Sequence, residues 1–128
     1  MNKPIKFEFG HDELYKFLLN VFCTCDWGLS VGIRRYNPED FQLTSVTRED
    51  KWVEHLQKGG LIMFFDQEEA DKDYKRLMSI DDIIESINKN VPPNYFFRFA
   101  DDELGGELDA FDAYNVIQYI AYGEVIFG

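Results

Sequence analysis

Cysteine is scarce in this chain: Cys23 and Cys25 are the only two, and a single residue separates them. That spacing could close only a strained local loop, so a structural disulfide is not expected. Zinc is not expected either, because common zinc sites space their cysteines by roughly two to four residues and need a full tetrahedral ligand set. Only His11 and His55 could complete one. The plainer reading makes Cys23 a small buried hydrophobe at a helix end. Histidine is as sparse as cysteine, and neither His11, at a helix start, nor His55, between Glu54 and Leu56, has a partner visible from spacing. Both read as surface or capping residues, which leaves no candidate base for a nucleophile and no expected catalytic residue.

Long apolar runs are missing too. The strongest, Leu61 to Phe65, is far shorter than the roughly 20 residues of a membrane-spanning helix. Residues Met1 to Gly10 alternate polar and apolar character instead of placing a basic end before an apolar run, so no signal peptide is expected and a cytoplasmic location is. Phosphate-binding loops are absent as motifs. Gly28 and Gly32 lack the flanking Lys and Ser/Thr that make such a loop work, and Gly105 and Gly106 stand among acids. No cofactor is expected.

Basic residues are few and unevenly placed. The chain carries 24 acids against 13 bases, a formal charge of -11, yet residues 1–60 hold 9 acids and 8 bases while residues 61–128 hold 15 and 5. Beyond Arg98 no Lys or Arg occurs, whereas Asp101, Asp102, Glu103, Glu107, Asp109, Asp112 and Glu124 follow. A negative field of this kind repels nucleic acid and anionic membrane surfaces and attracts a basic protein. One specific form of that attraction is imitation of DNA charge inside a nucleic-acid-binding cleft. The plainer reading is solubility, which acidic surfaces confer by themselves.

What is present suits one domain over residues 1–128. The chain is 45% hydrophobic and 16% aromatic, enough apolar surface to offset the entropy of ordering a core of this size. Ile5, Phe7 and Phe9 alternate as a strand would. Leu14, Phe17, Leu18, Val21 and Phe22 form an apolar stripe at helical spacing, with Asp12 and Glu13 placed for the positive end of the dipole. Weaker strand signals at Leu29 to Tyr36 and Phe41 to Val46, around the Asn37-Pro38 turn, suggest a hairpin. Thr47 caps a short helix from Arg48 to Lys58, stopped by Gly59-Gly60.

Leu61 to Phe65 suits a central strand, Asp66 to Asp73 a connection, and Tyr74 to Met78 a returning strand. Ser79 with Asp82 caps a helix carrying Ile80, Ile83, Ile84 and Ile87, which ends before Pro92-Pro93. Residues Val91 to Leu108 form a long loop with aromatic anchors, after which Asp109 caps a helix with Phe111, Tyr114, Ile117 and Ala121 on one face. Val125 to Phe127 tuck back onto the body. The irregular order of strands and helices predicts an α+β fold: an antiparallel or mixed sheet with three to four helices packed mainly on one face.

The candidate contact surface lies in the long loop. Tyr95, Phe96 and Arg98 combine aromatic and guanidinium groups, the usual ingredients of an interaction hot spot, and Asp101, Asp102, Glu103 and Glu107 follow at once. Phe97 and Phe99 would point inward with Tyr95, leaving Phe96 and Arg98 outside. The same acidic loop, residues 101–107, is the alternative address for a divalent-metal-dependent enzyme or binder, although the EF-hand spacing is absent and no metal ligand is assigned. Two carboxylates could equally flank a glycosidic bond, but spacing in sequence gives no distance in space.

The closing segment, Asp109-Ala110-Phe111-Asp112-Ala113-Tyr114 through Ile117-Gln118-Tyr119 to Tyr122-Gly123-Glu124-Val125-Ile126-Phe127-Gly128, resembles the ending of small uncharacterised proteins carried by phages and mobile elements of gut bacteria. It covers about twenty residues and contains no catalytic motif. What the resemblance implies is a cellular setting in which inhibitors of host proteins and DNA mimics are common. The expectation is therefore a non-enzymatic acidic interaction domain with a basic protein partner, no direct nucleic-acid or membrane binding, and room for a homodimer.

Overall fold

The computed structural model describes residues 11–36, 42–67, 74–95 and 110–127. Helix α1 (His11–Thr24) forms where the apolar stripe predicts it, and Leu14, Phe17, Leu18, Val21 and Phe22 are all essentially inaccessible to solvent. Strand β1 (Val31–Tyr36) follows, then helix α2 (Arg48–Gln57), whose N-cap Thr47 accepts a hydrogen bond from the Asp50 amide. Gly59 closes that helix in the left-handed region, at φ 89°.

Strand β2 (Leu61–Asp66) is the centre of a three-stranded antiparallel sheet, flanked by β1 and by β3 (Arg76–Met78). Its register runs from Val31 opposite Asp66 to Tyr36 opposite Leu61, and from Ile62 opposite Met78 to Phe64 opposite Arg76. Val31, Ile33, Ile62, Phe64 and Met78 share one face and join the helices in a single core. The fold is thus α+β with helices on a small sheet. The ladders of the described strands are antiparallel throughout.

The expected hairpin partner of β1 is not the one used. Residues 42–46 carry no strand structure, and β2 takes the position instead. The reason is a contact from α2. The Glu54 carboxylate accepts from the Thr44 amide at 2.8 Å, the Thr44 hydroxyl at 2.8 Å and the Ser45 amide at 3.0 Å, so these donors are satisfied by a helix side chain. β2, apolar on both faces, buries more on pairing than the polar 42–46 stretch could. The expected strand at Ile5 to Phe9, and Phe41, lie outside the described residues.

Helix α3 (Ile80–Asn90) begins with a full capping box, the Ser79 hydroxyl bonding the Asp82 amide and the Asp82 carboxylate returning to the Ser79 amide. Val91 ends it beside Pro92, as the proline pair predicts. Helix α4 (Ala110–Tyr122) is buried over a wider arc than its expected stripe: Ala113, Val116, Gln118 and Ile120 join Tyr114, Ile117 and Ala121, while Phe111 is 52% exposed. α4 packs against both α1 and α3, and α1 also packs against α2. Gly123, at φ 78°, ends α4, and Gln118 holds the segment beyond. Its carbonyl oxygen accepts from the amides of Ile126 and Phe127 at 2.8 and 2.7 Å, and its amide donates to the Phe127 carbonyl at 3.2 Å. The Phe127 ring then packs on Tyr74 and Tyr122. The expected return of this end is therefore observed, although Val125 remains exposed. Tyr74, expected in the returning strand, precedes β3 and anchors this cluster.

Candidate functional site

Of the residues that the sequence nominates for partner contact, Tyr95 is described. It lies just past α3, half-buried against the core, its ring centroid 6.3 Å from that of Tyr119. The ring packs against the core, the orientation expected for Tyr95. Phe96, Arg98, Asp101, Asp102, Glu103 and Glu107 lie outside the described residues, as do Phe97 and Phe99. Within the described part of the acidic half, Asp81, Asp82 and Glu85 are exposed on α3 and Glu124 is exposed beyond α4. Asp82 also belongs to the capping box, and Asp81 adds to the desolvation that pushes the Tyr15 hydroxyl above its ordinary pKa.

His55 departs from its expected surface or capping place. Its side chain is fully buried, and Nε2 lies 3.1 Å from the Tyr36 carbonyl oxygen and 2.9 Å from that of Leu61. Both neighbours can only accept, so Nε2 carries the proton and shares it between them. Tyr36 and Leu61 are paired at the end of the β1/β2 ladder, so the imidazole fastens α2 to the sheet there. A Cβ on Gly60 would overlap the imidazole ring, which makes glycine the residue that allows this approach. A histidine among Glu54, Leu56 and Gln57 gives no apolar signal, so spacing alone missed it.

Cys23 is not the buried cysteine that the sequence suggests. Cys23 is exposed, and Cys25 is the buried small hydrophobe. Cys25 lies one turn after buried Val21, to whose carbonyl its amide donates at 3.0 Å, and this extends the inward stripe of α1. Burial, followed by the neighbouring Asp26 carboxylate, pushes its thiol up to about 12. Among the described residues no group of three or more His, Cys, Asp or Glu side chains is placed to hold a metal ion.

Among the described residues, two concave features bear on function. A cleft of about 320 Å³ runs between α1 and α2, over Leu19 and Val53, with Tyr15, Lys16, Asp50 and Glu54 around it. Glu54 is tied to residues 44–45, and the hydrogen bond donated by the Ser45 amide, with further hydrogen bonds from Thr44, lowers its carboxyl to about 2. That carboxylate is a structural acceptor held ionised, unsuited to general acid work near neutrality. A second cavity, of about 110 Å³, lies where the start of α2 meets β1, among Trp27, Trp52, Phe65 and Arg48. The passage around Trp27 is pinned by the indole, whose Nε1 donates to the Phe22 carbonyl at 2.9 Å.

No family model, curated protein or solved structure matches the chain.

Proposed function

We propose that this chain is a non-enzymatic interaction domain that presents its acidic half to a basic protein, as a phage- or mobile-element-encoded protein acting on a host protein would. The observation that carries the reading is the partition of charge: residues 61–128 contain 15 acids and 5 bases, with no base after Arg98. A field of one sign concentrated on one part of a molecule raises association rates with an oppositely charged surface and discriminates against like-charged ones. Four of the six described acids in this half support it, because Asp81, Asp82, Glu85 and Glu124 face solvent, whereas Asp66 is buried and Asp112 half-buried. The proposed contact surface comprises Phe96, Arg98, Asp101, Asp102, Glu103 and Glu107, with Tyr95 anchoring its start.

The test is capture of a partner from host lysate by the wild-type chain and by a triple variant, Asp101→Asn, Asp102→Asn and Glu103→Gln. The expected outcome is weaker capture of a basic protein by the variant, with an unchanged melting temperature. Equal capture by both proteins would count against the reading. A melting temperature that rises with a divalent cation and falls with chelator would favour the metal-dependent alternative for the same loop.

A further inference from the structure

Two arginines stand over aromatic rings that wall the 110 Å³ cavity. The Arg48 guanidinium carbon lies 4.9 Å from the Trp52 ring centroid, and that of Arg34 lies 5.5 Å from the Phe65 centroid. Both rings line the cavity together with Trp27. The walls are braced from behind. Trp52 meets Trp27 at 5.1 Å and Phe22 at 5.6 Å in edge-to-face contacts. Gln67 donates to the carbonyls of Trp27, Leu29 and Val31 at 2.8, 2.9 and 3.1 Å, which ties the Trp27 passage to the sheet. A Cβ on Gly32 would come within 2.6 Å of the Phe65 ring and of Gln67 Cγ, so glycine is what lets this wall lie flat on β1.

The chemistry of the walls selects an occupant. Indole and phenyl faces favour a flat ring, and a cavity of ~150 Å³ is known to accept benzene, so a space of about 110 Å³ that opens to solvent takes one ring at most, with part of it left in solvent. Charge then decides the substituent. Arg48 gives Nε and Nη2 to Glu49, which leaves Nη1 outside that pair, and Arg34 is exposed with no ion pair among the described residues. A cationic ligand would meet two guanidiniums already over the ring faces. The net charge of -11 opposes an anion at long range, and Phe65 and Gln67 of the cavity wall themselves belong to the acidic residues 61–128, but salt screens exposed charges beyond about 8 Å. Arg48 in the cavity wall, with Arg34 over the ring of Phe65, outweighs it there.

The geometry points to a binding site for a small aromatic carboxylate, its ring against Trp27, Trp52 and Phe65 and its carboxylate toward Arg48 and Arg34. The site shares no residue with the proposed partner contact. Trp27 and Trp52 are the only tryptophans of the chain, so intrinsic fluorescence reports on it alone. The experiment titrates the full chain with benzoate and, separately, with benzylamine, following tryptophan emission and the two indole N–H resonances. Benzoate is expected to saturate with a Kd on the order of 1 mM, as a ligand of so few atoms allows. Benzylamine binds about tenfold more weakly. Arg48→Gln and Arg34→Gln, both at exposed positions, each weaken benzoate by about threefold while leaving the melting temperature in place. No saturable response to benzoate, equal binding of benzylamine, or two arginine variants that bind like the wild type would overturn the proposal.

Discussion

Single side chains decide more of this structure than their types announce. Gln118, an amide in the middle of the apolar helix α4, is fully buried and supplies both an acceptor and a donor to residues 126–127. Gln118→Leu keeps the volume but leaves two amides and a carbonyl to find other partners, at a cost of about 1–3 kcal/mol. For a chain of this size the expected fall in melting temperature is roughly 3–10 °C. An unchanged melt would show that Gln118 does not hold this end. The two thiols give a second check. Cys23 is exposed, with its pKa raised by partial burial and then by the carboxylates of Glu49 and Asp50. Cys25 sits at about 12 inside the core. A thiol reagent at pH 8 should therefore label Cys23 slowly in the native protein and reach Cys25 only after denaturation. Equal rates at both would contradict the assigned burial.

At the scale of elements, Glu54 couples α2 to the stretch that precedes it. Its carboxyl lies at about 2 in the folded chain against an ordinary value of 4.5, so its contribution to stability is fully present above pH 4.5 and is lost as the pH falls from there toward 2. Wild type and Glu54→Gln should differ in melting temperature at pH 6, and the gap should close through that acidic window. A gap independent of pH would mean that the carboxylate charge is not what residues 44–45 use. The same contact explains a failure of sequence reading. The weak alternation of Phe41 to Val46 resembles a strand, but a carboxylate ten residues away in sequence takes the backbone donors of Thr44 and Ser45, which no local pattern records. The elements that were legible bury a periodic apolar face or carry a cap. The α1 stripe, the Thr47 and Ser79 caps and the apolar run of β2 all set local structure within a few residues. His55 was illegible for the opposite reason, since its role depends on carbonyls brought close by strand pairing and on the bare backbone of Gly60.

Across the whole molecule, two features of opposite character stand out. Around the start of α2 and β1, guanidiniums lie on aromatic rings. In residues 61–128, 15 acids face only 5 bases. Composition made the acidic side visible without any structure, because a sum of charges needs no geometry. The aromatic cavity needed the fold, since Trp27, Trp52 and Phe65 come from three separate parts of the chain. The central claim, that the acidic half carries partner binding, is tested most directly by a salt series on the captured complex, with dissociation followed from low ionic strength to about 0.5 M. Electrostatic capture predicts that affinity falls steadily as the Debye length shrinks from about 10 Å at 0.1 M. A complex whose affinity is unchanged across that range, and equally unchanged in the triple variant, would contradict it.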